Sequence, residues 1–179
     1  TTTETMANAS WGGAVLSGGG GSSFTTVTTP DSVGIISVGV IIGFTICLVA
    51  PGSDTTKNGR FYWIWPKENT IDALDFATAE RSPDTAWNIV VLGDQFWIPG
   101  QNSIEVWQPT GDGDAPFERQ QGRIFERGAW EGTVVPLNEA MMLVDPTGDV
   151  WEVTDTPRLI STPGITQRIR QAINLNRVA

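Results

Sequence analysis

Short apolar runs separated by turns containing glycine or proline fill the middle of the chain. Two such runs precede and include Trp63, two more lead to Trp107, and two more lead to Trp151. These tryptophans are spaced 44 residues apart. A period in the forties made of short strands is typical of a β-propeller, in which each repeat forms one four-stranded blade. The pattern therefore predicts about three blades, with the recurring tryptophans packed between them.

The individual strands follow from the runs and their turns. We expect a first blade with strands near 34–40, 44–49 and 60–65, a second with 87–92, 95–99 and 103–108, and a third with 133–137, 140–144, 149–153 and 158–161. A strand over 117–126 is expected to link the second blade to the third. Because Ile71, Leu74 and Ala77 have roughly helical spacing, one or two turns of helix are predicted after Pro66.

The two ends of the chain differ from its middle. The predicted domains are a flexible N-terminal arm over 1–32, blades over 33–161 and an amphipathic helix over 162–179. The arm is rich in Gly, Ser and Thr, and its Trp11 and Phe24 are available to dock on a neighbouring subunit. The helix has Thr162 as N-cap and Pro163 at its first position. The expected fold class is all-β and mainly antiparallel, a partial β-propeller with an extended arm and a short C-terminal helix.

The most apolar stretch, Val33 to Ala50, has two explanations. Its length reaches the lower limit for a membrane-spanning helix. Three glycines, many β-branched residues and flanks without aromatic or basic residues favour two adjacent buried strands instead. The single cysteine, Cys47, lies in this stretch, so no intrachain disulfide is possible. We expect a buried, unreactive thiol rather than a nucleophile.

Charge and composition narrow the possible functions. The formal net charge is −9 and histidine is absent. Non-specific binding to nucleic acid depends on clustered Lys and Arg, so any DNA touching this protein is expected to slide past it. Without histidine the chain lacks the commonest general base and metal ligand. These properties favour a protein that is not an enzyme and carries no cofactor or metal.

Acidic residues provide two candidates for chemistry. Asp112 and Asp114 could bind Ca²⁺ if further oxygens converged on them, but a Gly/Asp loop is the simpler explanation. Asp72, Asp75, Glu80 and Asp84 surround the segment after Pro66. Paired carboxylates can catalyse glycoside hydrolysis when they are held about 5 to 9 Å apart. Spacing in the sequence cannot establish that distance. We expect solvated loop acids and assign no catalytic residue.

Arginines are the remaining candidates for interaction. Arg119, Arg123 and Arg127 alternate with apolar residues between the second and third blades and are predicted to pair with acids of a neighbouring subunit. A solvated strand face is the alternative. Arg168 and Arg170 lie off the apolar face of the C-terminal helix. The predicted interaction residues are these five arginines together with Trp11 and Phe24.

Four segments, in this order and spacing, resemble a known family. They are GRFYW, IDALDFATAERSPD, LGDQFWIPGQNSIEVWQPTGDGDAPFERQQGRIFERG and PRLIST, and the resemblance covers about residues 59–161. They are similar to the packaged DNA stabilisation protein of short-tailed bacteriophages. Members of that family form the tail hub or nozzle that closes the portal after genome packaging.

The resemblance implies a virion protein in the tail, at the head-to-tail interface. Such a protein would form a homo-oligomeric ring below the portal and adaptor, close the channel, retain packaged DNA and anchor the tail needle or fibres, without contacting a membrane. From the net charge, acidic side chains would line the channel and prevent DNA from adhering. Family members are longer and complete their propeller in one chain, whereas about three blades are predicted here, which leaves two open sheet edges. Either the chain is a fragment or a reduced relative, or neighbouring subunits cover those edges.

One further turn suggests an alternative function. DPTGDVW, ending at Trp151, resembles the Asp-box turn of sialidase-like propellers. Its spacing between Asp and Gly is one residue longer, and the preceding Ser is missing. A glycan-binding or sialidase-like propeller module is therefore the alternative to a tail component.

Overall fold

The computed structural model describes residues 14–16, 25–27, 29–30, 34–52, 55–79 and 85–177. Within these residues the chain forms fourteen β-strands, a 3-10 turn over Thr55–Lys57 and one α-helix. Strands β1 (Ala14–Leu16) and β2 (Thr25–Val27) form a small antiparallel pair. The other twelve strands form three four-stranded antiparallel sheets in which consecutive strands are neighbours.

We call these sheets blade 1, blade 2 and blade 3. Blade 1 consists of β3 (Ile35–Ile41), β4 (Phe44–Val49), β5 (Arg60–Ile64) and β6 (Phe76–Thr78). Blade 2 consists of β7 (Val90–Leu92), β8 (Gln95–Pro99), β9 (Ile104–Pro109) and β10 (Phe117–Phe125). Blade 3 consists of β11 (Val135–Leu137), β12 (Ala140–Val144), β13 (Val150–Val153) and β14 (Pro157–Leu159). The predicted mainly antiparallel fold of about three blades is confirmed.

Two-residue turns join the first two strands of every blade, at the three places predicted. They are Ile42-Gly43, Gly93-Asp94 and Asn138-Glu139. Gly43, Gly93 and Asn138 have positive φ, a conformation that glycine and asparagine adopt at little cost. These residues fix the hairpin register locally, which explains why the turns are readable from the sequence.

An aromatic core joins blade 1 to blade 2. Phe61 and Trp63 of blade 1 pack against Phe96, Trp107 and Phe117 of blade 2. The rings of Phe61 and Trp107 meet edge to face, with centroids 4.9 Å apart. Each such side chain contributes about 1.5–3 kcal/mol through burial alone. The aromatic runs in the sequence therefore hold neighbouring sheets together.

A second apolar core joins blade 2 to blade 3. It brings Trp97 and Val106 of blade 2 against Met141 and Leu143 of blade 3. Trp97 and Phe125 are stacked, with ring centroids 5.6 Å apart. Blade 2 is thus covered on both faces, whereas blades 1 and 3 each have one face directed away from the other blades.

The first strands of the blades lie close to one another. β3 contacts β7 and β8, and β7 contacts β11. Gly39 permits the approach, since a Cβ at this position would lie 2.8 Å from Cγ2 of Ile89 and 3.0 Å from Cγ2 of Val91. The Ser37 hydroxyl oxygen accepts a hydrogen bond from the amide of Ile89 at 2.9 Å. Convergence of first strands is the arrangement of a propeller, whose blades surround a central channel.

The segment after Pro66 is not helical, so that prediction is wrong. Turns lead instead to β6, which pairs with β5. The Asp72 carboxylate accepts a hydrogen bond from the amide of Leu74 at 2.8 Å. This local hydrogen bond competes with helix formation. Ile71 packs on blade 1 while Leu74 is exposed, so the apolar positions do not share a face.

The recurring tryptophans occupy the third strand of each blade but not the same face. Trp107 and Trp151 face the preceding blade, whereas Trp63 faces the following one and enters the same core as Trp107. A one-residue offset along a strand moves a side chain to the opposite face. The prediction of blade-to-blade packing is confirmed, and the prediction of fully equivalent positions is wrong for Trp63.

Helix α1 (Pro163–Arg177) begins at the predicted residue. The carbonyl of Thr162 accepts hydrogen bonds from the amides of Ile165 and Thr166, both at 3.0 Å. The stretch from Val33 to Ala50 contains β3 and β4, as expected for two adjacent strands. In the described part of the chain, no helix combines the length and apolar character needed to span a bilayer.

Candidate interaction site

A buried carboxylate lies between blades 1 and 2. Glu105 accepts a hydrogen bond from Nε1 of Trp107 at 3.2 Å. Nη1 of Arg119 lies 3.5 Å from Oε1 of the same carboxylate. Removing one member of a buried ion pair leaves the other uncompensated and costs about 3–5 kcal/mol. Arg119 therefore fixes β10 against β9 on the face that meets blade 1.

Arg123 bridges blades 2 and 3. Its Nη1 donates to Oε1 of Gln95 at 2.9 Å and its Nη2 donates to Oδ1 of Asp155 at 2.9 Å. The guanidinium carbon lies 5.0 Å from the centre of the Trp97 ring, within reach of a cation–π attraction. Arg123 also lines an open cleft of about 340 Å³ between the two blades. A residue at the end of one blade thus contacts the next blade directly.

Arg127 makes the second bridge between these blades. It follows β10, and its Nη1 donates to Oδ2 of Asp145 at 2.8 Å. Its guanidinium carbon lies 3.7 Å above the Trp151 ring. The indole Nε1 of Trp151 donates to the same Oδ2 at 3.0 Å. One carboxylate therefore holds the connection from blade 2 and the third strand of blade 3.

Asp145 also organises the turn between β12 and β13. Its Oδ1 accepts hydrogen bonds from the amide and hydroxyl of Thr147, at 2.8 and 2.6 Å, and from the amide of Asp149 at 3.1 Å. Burial raises the pKa of Asp145, but bonds from Thr147, Asp149 and Trp151 outweigh burial and hold the pKa below its usual value. The turn that resembles an Asp-box thus directs its carboxylate inward, where it stabilises the fold.

The C-terminal helix is docked on the same turn. Nε of Arg170 donates to the carbonyl of Thr147, and its Nη2 lies 4.0 Å from Oδ2 of Asp149. The hydroxyl of the buried Thr166 donates to Oδ1 of Asp149 at 2.7 Å. Arg168 is exposed. Of the two helix arginines predicted to interact, Arg170 positions the helix.

The predicted interaction residues are therefore spread over several places. Arg119 lies between blades 1 and 2, Arg123 and Arg127 lie between blades 2 and 3, and each has an acid partner in its own chain. Contact of these arginines with a second subunit stays a prediction. Trp11 and Phe24 lie outside the described residues.

The acids considered for chemistry have local partners. Oδ1 of Asp112 accepts a hydrogen bond from the amide of Asp114 at 2.9 Å. This bond forms an Asx-turn within the loop. Oδ2 of Asp75 accepts a hydrogen bond from Nε1 of Trp65 at 2.8 Å. Among the residues described, no group of three or more His, Cys, Asp or Glu is placed to hold a metal ion. Glu80 and Asp84 fall outside the described residues.

The first strands carry no charge. None of the residues of β3, β7 and β11 is acidic or basic. Acids stand instead in the turns that end two of these strands, at Asp94 and Glu139. The first strands are apolar because they pack against neighbouring first strands, and an acidic lining of the tail channel stays a prediction.

Comparison with known proteins identifies the family. The family model described as "Bacteriophage P22 Gp10, beta-propeller" matches residues 3–145, well over half of the chain. The matched residues include all of blades 1 and 2 and the first two strands of blade 3.

The chain belongs to the bacteriophage P22 Gp10 β-propeller family. Membership confirms the resemblance found in the sequence, and it makes the chain a bacteriophage structural protein, a virion component of the class that stabilises packaged DNA. The fold has the features of a β-propeller: four-stranded meanders, stacked faces and first strands that converge. α1 lies outside the matched residues.

Two further comparisons add little to this assignment. The crystal structure of the computationally designed Ika8 protein superimposes with a TM-score of 0.46 at 12% sequence identity, covering 78% of this chain and 40% of that one. The chain thus spans less than half the length of that designed protein. No curated protein sequence matches the chain.

Several paired acids were not identified from the sequence. Glu105 and Asp145 are acids inside or beside apolar strands, a position where acids are rare unless paired. An acid within or next to an apolar run was therefore the signal available in the sequence. Their partners could not be named because the pairs depend on the register of separate strands, as for Arg123 and Asp155, which are 32 residues apart.

Proposed function

We propose that this chain is a structural component of a phage tail, part of a hub or nozzle below the portal and adaptor. In this position it closes the channel, retains packaged DNA and anchors the tail needle or fibres. The observation that carries the proposal is the family match over residues 3–145, within a class that stabilises packaged DNA. We also propose that the chain is not an enzyme and acts mechanically, as a rigid body in a homo-oligomeric ring.

Rigidity is supported by how the blades are joined. Adjacent blades share apolar cores, and Arg123 and Arg127 cross from blade 2 to acids of blade 3. Buried charges are tolerated only when paired, and the buried Asp145 serves this joining through its ion pair with Arg127. Such a stack resists bending between blades, as a channel closure under pressure from DNA requires.

The proposal is tested on phage particles that lack this chain. Such particles should package DNA and then lose it, so that their genomes become sensitive to added nuclease, and supplying the purified chain should restore protection. Particles that keep protected DNA without the chain would contradict the proposed role. The alternative, a glycan-binding module, predicts instead that the purified chain binds defined sugars on an array and does not co-purify with portal and adaptor proteins.

A further inference from the structure

Two linkers connect blade 2 to its neighbours, and both meet the same turn of blade 2. The entry linker, residues 85–89, precedes β7, and the exit linker, residues 126–134, follows β10. The turn that they meet, residues 100–103, joins β8 to β9, and we call it the shared turn. The chain therefore enters and leaves blade 2 past the same few residues.

The entry linker is hydrogen-bonded to the start of the shared turn and to the end of β8. The amide of Trp87 donates to the carbonyl of Pro99 at 2.9 Å, and the amide of Gln101 donates to the carbonyl of Thr85 at 2.9 Å. Together these bonds form an isolated antiparallel bridge. Ala86, between the two bonded linker residues, is buried. The entry linker thus extends the strand pairing of β8 by a few residues.

The exit linker is hydrogen-bonded to the same turn. The amide of Ala129 donates to the carbonyl of Gly100 at 2.7 Å, and Ala129 is completely buried. Gly128 lies so close to the turn that a Cβ at this position would overlap the carbonyl of Gln101. A side chain at Gly128 would therefore force the exit linker and the shared turn apart.

Each linker also bonds to the neighbouring blade. In the exit linker, the amide of Trp130 donates to the carbonyl of Val144, at the end of β12 in blade 3, at 2.7 Å. In the entry linker, the amide of Ile89 donates to the Ser37 hydroxyl of blade 1 at 2.9 Å. Consecutive Cα atoms are only about 3.8 Å apart, so closely spaced residues of one linker cannot follow two blades that slide against each other. Displacing a blade must therefore break one of these hydrogen bonds.

We propose that the shared turn locks both linkers to blade 2, and that blades 1, 2 and 3 therefore open and unfold as one unit. Apolar cores alone do not ensure this, because burial is non-directional and each repeat of a stack contacts only its neighbours. The shared turn adds directional bonds that lead, through the two linkers, to both neighbouring blades. The inference rests on the proposed function only for its purpose, which is to keep the blades from shearing under pressure from DNA.

Hydrogen exchange of the purified chain, followed for single amides by NMR, is the test. The reference is the amide of Phe96, which lies in β8 with a paired strand on either side. The amides of Trp87, Ala129 and Trp130 should exchange within about tenfold of the Phe96 rate, because opening a linker then requires unfolding of the blades. Linker amides that exchange faster than this would overturn the inference, since the linkers would then open on their own.

Gly128→Ala tests whether the two linkers are coupled. The added methyl group displaces the shared turn, so exchange at Trp87 as well as at Ala129 should rise at least about tenfold relative to Phe96. Gly122→Ala is the matched control, because a Cβ at Gly122 meets no atom within 4 Å, and it should leave both ratios unchanged. A rise at Ala129 without a rise at Trp87 would overturn the inference, since the linkers would then be independent.

Ser37→Ala provides a milder variant should Gly128→Ala fail to fold. It removes the hydroxyl that bonds the entry linker to blade 1 and adds no atoms. Exchange at Ile89 and at Trp87 should rise about fivefold relative to Phe96. Unchanged exchange at Trp87 would count against the inference, because the bond to blade 1 would then not hold the linker. These measurements need no phage proteins, so the lock and the proposed tail function can fail independently.

Discussion

Replacing Asp145 by Asn should destabilise blade 3, because only one of the two carboxylate oxygens loses its hydrogen bonds. Oδ1 accepts bonds from Thr147 and Asp149, and an amide oxygen can keep these. Oδ2 accepts bonds from Arg127 at 2.8 Å and from Trp151 at 3.0 Å, and an amide nitrogen would present donors to both. The substitution therefore removes the polar bridge through Oδ2 between blades 2 and 3 while it preserves the size of the side chain.

The expected cost follows from burial of the pair. Breaking a buried ion pair by removing one partner costs about 3–5 kcal/mol. The Asp145 side chain is 2% exposed and that of Arg127 is 38% exposed, so water replaces part of the arginine's interaction. We expect the lower end, a loss of about 3 kcal/mol in the free energy of unfolding. For a chain of this size the melting temperature should fall by about 6–12 °C.

Urea unfolding followed by tryptophan fluorescence and by circular dichroism measures this loss. The matched control is Asp94→Asn, an exposed turn residue, which should change the free energy of unfolding by less than about 0.5 kcal/mol. If Asp145→Asn costs no more than this control, the bridge through Oδ2 does not hold blade 3 and the reasoning is refuted.

The same variant has a predicted pH dependence. The pKa of Asp145 is lower in the folded than in the unfolded chain, because hydrogen bonds outweigh burial. The carboxylate therefore contributes stability above its unfolded pKa of about 3.9, and this contribution is lost as pH falls through the folded pKa. The stability difference between the natural chain and Asp145→Asn should be constant from neutral pH to about 5 and shrink below about 4. A difference that grows on acidification would contradict this sign.

Three other predictions concern the cores. Phe117→Ala removes a ring that meets aromatic rings of both blades 1 and 2, and should cost about 3–5 kcal/mol in urea unfolding. Gly128→Ala should cost at least about 1–3 kcal/mol, because the new Cβ would overlap the backbone of Gln101, and a neutral effect would show that the two segments are not in contact. Burial raises the pKa of the Cys47 thiol to about 11, so a thiol reagent should label it only in denaturant, and rapid labelling of the native chain at pH 8 would contradict its burial.

Much of the fold was predictable because it is encoded locally. The apolar runs gave the second and third strands of each blade, and turn residues such as Gly93 and Asn138 fixed the hairpins between first and second strands. The start of α1 at Pro163 followed from the change of period and from its cap. The predicted strand over 117–126 exists, but it is the fourth strand of blade 2 rather than a link.

The remaining features depend on contacts between distant residues. β6 was missed because its three residues follow a segment whose apolar spacing imitates a helix. The face of Trp63 could not be known without its pairing with Ile46. The side-chain bond from Ser37 to Asn88 joins residues 51 positions apart, which no local pattern reveals. The interaction sites were therefore predictable as residue types and not as pairs.

The measurement that tests the central claim most directly is a cryo-electron microscopy reconstruction of the phage particle that carries this chain. We predict density for stacked four-stranded blades around the channel at the junction of head and tail, with Arg123 and Arg127 at the contact between blades 2 and 3. Density for this chain on the capsid surface, or a virion that lacks it, would contradict the account.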